Sequence, residues 1–588
     1  MAQKVLAGRC ADPMLSGDLV DVKVDQIVLT RAPMRALVEA RDMGLKKTSA
    51  EVAIAYDTRC VGGASPGDPG PLPSGELLAH GIVIGRPGIG FPAPVHLERF
   101  ASPARLCVTD DPRLASVGGI GMLTMVMPPG MLGQALAQGQ ITLRPPRSVQ
   151  VLLSGRARPF VCARDMALEL VRRGLSEAVT RVEAEHQAPV VIEFAGPSVR
   201  LLSVGERAVL AGLAPQLGAS AALFVSDERT EVFLRDQRRS KAHRALAPDA
   251  GAPCDEVVTV DLGAVDPLYM DESGNVRAVR DLAGKPVSQV VLGGDTGTTL
   301  RDLFAAAALL KSKRVSSRVE FLLAVPSRQM LEVLATSGAL ADLIATGARV
   351  IEPDGRLVSG EIYPVSAGGL SARTHDPEPG AGAPKPLAVA SAETLSWAVA
   401  TGEMGDPRSF KRPVRVTIPR ALPTDDVLVL RDRKGVEAPA KGKAAPVHTP
   451  NPWKGTQTLE IVDGPSKIAT GKGQVAVLCA SLDEVRELAA RAPEIAPNVR
   501  AVLASFIPST AVAVFSGVGI AAIRVEPGGA KGMKGQRQIA LPAPSSWAER
   551  QPTVVHVGSQ KVPLTWLARG AERGWASAGT ARSASPRR

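Results

Sequence analysis

Aromatic residues are scarce in this chain, at 3% of its 588 residues. Proteins that recognise single-stranded RNA commonly stack bases on aromatic side chains, so this composition makes RNA recognition a less expected function. The net charge of +11, from 69 Lys and Arg against 58 Asp and Glu, permits an anionic partner without requiring one. Hydrophobic residues make up 45%, a globular proportion that excludes a wholly disordered chain.

Cysteine is also scarce, and its spacing excludes several kinds of site. The six cysteines are widely separated and form no C-x-x-C pair: Cys10, Cys60, Cys107, Cys162, Cys254 and Cys479. Local zinc fingers, redox pairs and iron–sulfur loops are therefore not predicted. Because Asp12, Asp18 and Asp21 leave no apolar leader, we expect a cytoplasmic protein with reduced cysteines.

Charged residues are absent from two stretches, Leu114–Leu143 and Ala501–Ile523, and each stretch is long enough to span a bilayer. Pro128, Pro129 and several glycines interrupt the first. The second divides into a strand, a helix that begins near Pro508, and another strand. Both patterns are typical of a buried α/β layer, so no membrane span is predicted.

Apolar runs typical of strands alternate with helical stretches along much of the chain. Val290–Leu292 precedes Leu300–Leu310, and Val319–Val325 precedes a helix that begins at Ser327. This order predicts an α/β fold with parallel strands. Thr299 and Ser327 have side chains preferred at helix N-caps, so we expect them to begin these two helices.

Composition also marks the predicted breaks between domains. The Pro/Gly-rich loop Asp376–Pro386 and the Lys/Pro/Ala-rich stretch Ala438–Pro452 are typical of solvated connections. Between them, a helix closes at Asp406–Arg408 and a strand-like run begins at Val414, where we place the main boundary. The last residues, with arginine among Ser, Ala and Gly, predict a disordered basic tail.

Several segments, in a constant order, resemble the aconitase family, the hydro-lyases that include the large subunits of isopropylmalate dehydratase. These segments are Ala2–Asp25, His80–Gly121, Val191–Thr230 with its Asp-Glu-Arg-Thr signature, Val290–Val315 and Val475–Phe506. The resemblance implies three α/β/α layered domains of the aconitase type and a C-terminal swivel α/β domain. The expected limits are 1–154, 155–262 and 263–408 for the layered domains, 409–570 for the swivel domain and 571–588 for the tail.

The resemblance also implies a [4Fe–4S] cluster that three cysteines hold, with one iron open to the substrate. The first cysteine lies in a G-S-C-T-N loop of the family, and Asp295 stands at that position here. The other two lie in a C-x-x-C turn, where this chain has Gly355 and Val358. Glycine and valine side chains cannot bind iron, and one carboxylate cannot hold a cubane cluster. We therefore expect no cluster, no other metal and no other cofactor.

The other catalytic motifs of the family are reduced to isolated residues. The D-S-H-T loop reads Asp110–Arg113, and an earlier Asp-His pair reads Asp57-Thr58. Asp57, Asp110 and Asp295 are thus candidate carboxylates of a residual site.

Two arginines are candidates for residual anion binding, since arginine clamps carboxylates in two-pronged fashion. They are Arg373, from the family's arginine-rich segment, and Arg486, from its S-S-R-E motif. That motif reads Glu484–Glu487 here and lacks the serine whose alkoxide takes the substrate proton in the family. No catalytic residue is therefore assigned.

With the iron, the base and most of the clamp replaced, the sequence predicts a hydro-lyase by ancestry that has lost dehydratase activity. It would act as a pseudoenzyme that binds a small carboxylate or a protein partner. One alternative is an active hydratase, lyase or isomerase on a hydroxy-carboxylic acid that uses another metal through Asp295. Another is an RNA-binding regulator, since cluster-free family members bind RNA, although the scarce aromatics make nucleic acid the weaker expectation.

Overall fold

The structure is a computed structural model that describes most of residues 1–568. Outside the description lie residues 18, 62–71, 128, 187, 378–385, 421, 432–452, 469–473, 508, 527–528, 530–532, 534, 548–551, 559 and 569–588. The predicted tail at 571–588, the stretch Ala438–Pro452 and most of the loop Asp376–Pro386 therefore lie outside the described residues.

The first sheet has six strands, and five of them run parallel. In spatial order they are Val429–Leu430, Val83–Gly85, Val52–Tyr56, Gln26–Leu29, Leu106–Thr109 and Leu123–Val126. Beside it, Val20–Lys23 and Gln140–Leu143 form an antiparallel ribbon. We call this sheet, with the helices that follow its strands, the first unit, and name the units of the other sheets in the same way.

The second sheet is parallel throughout. Its order is Ala221–Leu223, Val190–Ala195, Arg147–Ser154 and Glu256–Asp261. Arg147–Ser154 lies inside this sheet, although the limit predicted at residue 154 assigns that strand to the first domain. An apolar run alone does not tell which of two neighbouring sheets a strand joins, so the domain limits stay a prediction.

The third and fourth sheets have seven strands each, and their central strands are parallel. The third sheet has antiparallel pairing at one edge and parallel pairing at the other, whereas the fourth has antiparallel pairing at both edges. The third runs Val276–Ala278, Leu268–Asp271, Leu387–Ala390, Ser371–Arg373, Gln289–Gly293, Glu320–Ala324 and Arg349–Val350. The fourth runs Gln538–Leu541, Gln457–Asp463, Val475–Leu478, Val499–Ala504, Ala521–Val525, Gln560–Trp566 and Thr553–Val557.

Helices alternate with these strands, which confirms the predicted α/β class. In chain order they are Ala2–Ala7, Pro33–Asp42, Ser74–Ala79, Pro92–Arg99, Pro129–Gln138, Ala163–Arg172, Leu175–His186, Val204–Ala211, Glu228–Asp236, Leu300–Leu310, Arg328–Thr336, Ala339–Thr346, Gly355–Ser359, Ala392–Thr401, Leu482–Ala490, Ala492–Ile495 and Ser509–Gly517. Among the described residues, none of these helices has the length and apolarity needed to cross a membrane.

The two predicted N-caps are confirmed. The side chain of Thr299 accepts the backbone N–H of Asp302, whose carboxylate accepts the backbone N–H of Thr299 in return. The side chain of Ser327 accepts the backbone N–H of Met330. These bonds satisfy N–H groups that have no partner inside the helix, which is why the caps could be predicted locally.

The chain returns to the first unit after the third. Val429–Leu430 pairs antiparallel with the strand Val83–Gly85. The side chain of Arg99 donates to Asp426 at 2.8 and 2.6 Å, and Nε2 of Gln329 donates to the carbonyl of Pro423 at 2.6 Å. The segment before the fourth unit is thus fixed against the first unit and the helix Arg328–Thr336.

Three helices place carboxylates in their first turns, where the helix dipole favours negative charge. Asp165, Asp302 and Glu393 are all buried. Burial raises the pKa of Asp302 above its ordinary value and the pKa of Asp165 to about 7. Burial likewise raises the pKa of Glu393 to about 7, although Arg301, with Nη1 at 3.8 Å from Oε1, lowers it in part. Within the described residues, Oε2 of Glu393 has no hydrogen-bond partner.

Glu393→Gln should make stability less dependent on pH. The folded-state pKa of Glu393, about 7, lies above its ordinary value of 4.5, so the folded state holds more protons between these values. The free energy of unfolding therefore falls as pH rises through this window, by at most about 3 kcal/mol for this group. We expect the variant to be more stable than the parent chain at pH 8. Thermal unfolding between pH 5 and 8 measures this, with the exposed Glu231→Gln as control; equal pH slopes in parent and variant would contradict it.

Candidate functional site

The carboxyl ends of parallel strands from the first and third sheets meet at one junction. Leu106–Thr109 leads into the loop that holds Arg113, and Gln289–Gly293 leads into the loop that holds Asp295. Nε of Arg113 lies 3.2 Å from Oδ2 of Asp295. Because open α/β sheets bind ligands beyond the carboxyl ends of their strands, this junction is the candidate site. We call it the junction site; its residues are Arg113, Arg164, Asp295, Thr296, Arg373, His375 and Asp376.

Asp376 is the centre of the junction site. Its carboxylate accepts from Nη1 and Nη2 of Arg164 at 2.7 and 3.0 Å and from the hydroxyl of Thr296 at 2.9 Å. Its backbone carbonyl accepts from Nη2 of Arg113 at 2.7 Å. The side chains of Arg164 and Asp376 are each only 1% exposed. Since these arginines come from the second and first units, Asp376 joins three units through one buried residue.

The electrostatics of Asp376 favour its ionised form. Burial by itself would raise the pKa of this carboxyl, but Arg164, Arg113 and the hydroxyl of Thr296 lower the pKa below its ordinary value. A two-pronged arginine–carboxylate pair in a buried setting is geometrically specific and costly to break. Asp376 is therefore a charged structural hub.

Asp295, the candidate that replaces the family's first cysteine, faces an arginine. Both Arg113 and Asp295 are buried, with side chains 9% and 7% exposed. The loop that carries Asp295 is also closely packed: a Cβ atom at Gly294 would lie 2.7 Å from His375, and one at Gly297 would lie 1.6 Å from Nη2 of Arg164. Both glycines have positive φ angles, near +100° and +74°. Only glycine fits these positions, so the loop is a tight strand-to-helix turn.

Gly355 and Val358, the other two positions, lie in a helical turn tied to the first unit. The carboxylate of Asp354 accepts the backbone N–H groups of Cys60 and Val61 at 2.8 and 2.9 Å. The backbone N–H of Gly355 donates to the carbonyl of Thr58 at 2.9 Å. The loop after the strand Val52–Tyr56 is thus fastened to this turn by backbone bonds.

The side chain of Val358 is buried in an apolar cluster. It packs with Phe91, Val291, Leu322, Ala324, Ile351 and Leu357. A Cβ atom at Gly355 would lie 2.9 Å from Oγ1 of Thr58, so a larger residue would require this threonine to shift. Neither position presents a polar atom to a ligand.

Arg373 and His375 are buried polar residues close to Asp376 in sequence. Nε of Arg373 donates to Oγ of Ser371 at 2.9 Å, and Nη1 lies 3.4 Å from Nε2 of His375. Burial lowers the pKa of Arg373 to about 10. Burial, with Arg373 and Arg113 nearby, also lowers the pKa of His375 well below its ordinary value, so the imidazole is neutral. Within the described part of the chain, no carboxylate forms an ion pair with Arg373.

The candidate carboxylates Asp57 and Asp110 accept hydrogen bonds from backbone N–H groups. Asp110 accepts the N–H groups of Thr30, Arg31 and Ala32 at 2.8 to 3.0 Å. Burial raises the pKa of Asp110, while these hydrogen bonds lower it in part. Asp57 accepts the N–H groups of Arg59 and Leu72 at 3.3 and 3.2 Å. Both carboxylates therefore fasten loops at the ends of the first sheet.

The last candidate, Arg486, lies in the helix Leu482–Ala490 of the fourth unit. Its side chain lies outside the described residues, so its predicted role stays a prediction.

Sequence reasoning missed Arg164, His375 and Asp376, and it named Arg113 only as a lost motif position. Arg164 follows Cys162 at an ordinary helix start, and Asp376 opens a Pro/Gly-rich loop. The two residues are 212 positions apart. The resemblance to the family gave no reason to pair them.

The residues at the three positions that the resemblance assigns to cluster ligands do not fit a [4Fe–4S] cluster. Asp295 is opposite a buried guanidinium, Val358 is in an apolar cluster, and Gly355 has no side chain. Among the described residues, no three His, Cys, Asp or Glu side chains are arranged to hold a metal ion. A cubane needs several thiolates at one place.

Asp376→Asn should destabilise the junction site strongly. The change keeps the size of the side chain but leaves Arg164 buried without its counter-charge, a loss of about 3 to 5 kcal/mol. Replacing both charged partners by apolar residues, as in Arg164→Met with Asp376→Leu, should recover part of the lost free energy of unfolding. Thermal unfolding measures both effects, and Asp249→Asn, in the exposed pair with Lys4, is the control. An unchanged unfolding midpoint in Asp376→Asn would contradict the role of the hub.

Comparison with known proteins relates part of the chain to one family. Residues 77–273 match the aconitase family (aconitate hydratase). The large subunit 2 of 3-isopropylmalate dehydratase from Archaeoglobus fulgidus is 26% identical over 431 residues, which are 70% of this chain and 99% of the relative. The homoaconitase large subunit from Thermus thermophilus is 29% identical over 373 residues, 60% of this chain and 83% of the relative.

A further relative, the large subunit 1 of 3-isopropylmalate dehydratase from Thermotoga maritima, is 24% identical over 70% of this chain and 99% of its own length. The family match spans the strands Leu106–Thr109 and Arg147–Ser154, which precede Arg113 and Arg164 of the junction site. The parallel α/β sheets agree with the same family. The chain is thus similar to the aconitase family over residues 77–273 and to the large subunits of dehydratases over as much as 70% of its length.

Proposed function

We propose that this aconitase-family protein, a hydro-lyase by ancestry, works without an iron–sulfur cluster and without dehydratase activity. It is a pseudoenzyme that binds an anionic ligand or a protein partner. The observation that carries the proposal is the ion pair at 3.2 Å between Asp295 and Arg113, at the position where the family has its first cluster thiolate. A carboxylate that neutralises a buried guanidinium is not available to iron.

The other two cluster positions support the same proposal. Val358 adds to an apolar cluster, and Gly355 is fastened through its backbone to the first unit. The contacts around Asp376 add a buried polar network that holds the three units together without a metal. A scaffold that has its own cross-link in place of the cluster has no structural need for iron.

An anionic ligand is supported by the surplus of positive charge in the junction site. Arg113 and Arg164 are neutralised by Asp295 and Asp376, whereas Arg373 has no carboxylate partner within the described residues. A small carboxylate would compensate this buried charge. We propose that the fourth unit acts as the swivel domain of the family and covers this site.

An active enzyme is the second candidate, and the relatives favour it. The proteins that this chain resembles are called dehydratase or homoaconitase subunits. An enzyme that uses another metal would need the carboxylate of Asp295 as a ligand, but in the structure this carboxylate forms an ion pair with Arg113. RNA binding is the third candidate and has only the basic charge of the chain in its favour.

Anaerobic purification should give a protein without cluster iron. We expect iron and acid-labile sulfide far below four per chain, and neither hydration of cis-aconitate nor dehydration of isopropylmalate above the blank. A known family dehydratase prepared in parallel is the control for cluster survival. Stoichiometric iron and sulfide would refute the proposal. Stoichiometric Mn²⁺ or Fe²⁺ that is lost in Asp295→Ala would instead support the metal-dependent enzyme.

Citrate should raise the thermal unfolding midpoint of the protein if the junction site binds carboxylates. Arg373→Lys keeps the charge but loses the two-pronged geometry, so we expect at least about tenfold weaker binding of citrate. Titration by thermal shift and calorimetry measures this, with the exposed Arg349→Lys as the matched control. Equal affinities for citrate in the parent chain and in Arg373→Lys would contradict binding of citrate at the junction site.

A further inference from the structure

A cleft lies between the first and third units and shares no lining residue with the junction site. Its lining comes from the helix Pro92–Arg99, from the start of the helix Arg328–Thr336 and from the segment that precedes the strand Val429–Leu430. We call it the carboxylate cleft, because its lining includes the acidic residues Glu98, Glu332, Asp425 and Asp426.

Glu98 is the buried member of this acidic group, with 4% of the residue exposed. Its Oε1 accepts a hydrogen bond from the hydroxyl of Ser327 at 2.8 Å, while the same hydroxyl oxygen accepts the backbone N–H of Met330. Oε2 of Glu98 accepts no hydrogen bond from the described residues, and they do not enclose it completely. Because a buried carboxyl oxygen is costly without a donor, Oε2 is an open acceptor for a ligand in the cleft.

The charges in the lining favour a cationic ligand. Nε and Nη2 of Arg99 both donate to Oδ1 of Asp426, so these two residues neutralise each other. Arg328, Glu332 and Asp425 form no ion pair with any described residue. With the buried carboxyl group included, three acidic groups therefore line the cleft against one guanidinium, and this excess attracts positive charge.

A bare metal ion and an anion both fit the cleft less well. Among the described residues, no three acidic, histidine or cysteine side chains are arranged to hold a metal ion. At the start of the helix Arg328–Thr336, the backbone N–H groups of Arg328 and Met330 already donate to the carbonyl of Ile89 and the hydroxyl of Ser327. An anion would therefore meet the side chain of Arg328 beside an excess of carboxyl groups.

Apolar side chains complete the lining. Ile89 and Val95 are buried, and Leu428 is half-buried. They offer apolar contacts next to the carboxyl groups, which suits a ligand with an aliphatic chain and a charged end. A primary ammonium group has three N–H donors and no acceptor, so it matches an excess of carboxyl oxygens.

We propose that the carboxylate cleft binds a primary aliphatic amine in its ammonium form, which donates to Oε2 of Glu98 while its methylene chain contacts the apolar part of the lining. A free diamine and the side chain of a lysine share this chemistry. The binding does not depend on the function proposed for the junction site.

Binding of the amine should be coupled to the protonation of Glu98. Burial raises the pKa of Glu98 to about 8, although the hydrogen bond from Ser327 and the charge of Arg99 lower it in part. At pH 7 most copies of the free protein therefore hold a proton on Glu98, and an ammonium group beside Oε2 favours its release. Affinity should rise as pH rises toward 8, since an aliphatic ammonium group stays charged up to about pH 10. The other titratable and charged groups near Glu98 are Tyr56, Arg99, Arg239, Arg328, Glu332, Asp425 and Asp426.

Calorimetric titration of the full chain with 1,5-diaminopentane at pH 7 tests this binding. Titrations in two buffers of different ionisation enthalpy give the number of protons released, which we expect to approach about one for each amine bound. Glu98→Gln keeps the size of the side chain and an acceptor for Ser327, so we expect at least about tenfold weaker binding and no proton release. The matched control, Glu231→Gln, removes an exposed carboxyl group elsewhere and should leave both quantities unchanged.

Glu332→Gln is a second variant that leaves the buried hydrogen bond of Glu98 intact. Because Glu332 is half-buried, we expect this variant to fold and to bind the diamine at least about threefold more weakly. Circular dichroism checks that each variant is folded. Nα-acetyl-lysine amide distinguishes the two sources of the amine: tighter binding than that of the diamine assigns the cleft to a lysine side chain, and weaker binding assigns it to a free amine.

Absence of binding of both amines to the parent chain would overturn the proposal. Unchanged affinity for the diamine in a folded Glu98→Gln would do so too, as would unchanged affinity in Glu332→Gln if Glu98→Gln does not fold. Binding of inorganic phosphate in place of either amine, lost in Arg328→Gln, would also overturn the proposal and assign the cleft to anions.

Discussion

The buried ion pair between Arg164 and Asp376 is the contact on which the relation of the first three units depends. Arg164 begins a helix of the second unit, Asp376 follows a strand of the third, and Arg113 of the first unit donates to the backbone of Asp376. Two charges removed from water are tolerated only when their geometry and remaining hydrogen bonds are satisfied. Here the two-pronged contact and the hydroxyl of Thr296 satisfy the carboxylate. The position of each unit is therefore constrained by the other two.

The acidic groups of this network are committed to structural contacts. A site for dehydration requires a Lewis acid at the leaving group and a base on the opposite face. In the junction site, acidic groups are paired with arginines and His375 is neutral and buried. Arg373 is the exception, since it has positive charge without a carboxylate partner among the described residues. Outside this site, Val358 faces apolar neighbours.

Local features of the chain could be predicted from sequence, and long-range ones could not. The N-caps at Thr299 and Ser327 depend on neighbours three residues away, so composition and spacing were sufficient. The replacements predicted at Asp295, Gly355 and Val358 rest on the resemblance to the family's motifs and stay a prediction. By contrast, nothing near Asp376 in sequence indicates a partner at Arg164, because the partner is set by the packing of separate sheets.

The same limit explains the error at Val414 and leaves the predicted domain limit at residue 154 untested. Apolar alternation predicts an extended backbone, but it does not tell which sheet, if any, offers a partner. Arg147–Ser154 found two neighbours in the second sheet, whereas Val414–Ile418 found none among the described residues. Pairing is a property of the assembled fold.

The short strand Val429–Leu430 has a consequence for the reach of the fourth unit. Because this strand is hydrogen-bonded to the first sheet, the tether to the strand Gln457–Asp463 begins at Arg431 and not at Lys411. Its length falls from 46 residues (411 to 456) to 26 residues (431 to 456). The number of residues in this connection sets an upper limit on the distance that it can span. Two residues of antiparallel pairing thus shorten the greatest distance that can separate the strand Gln457–Asp463 from the first sheet.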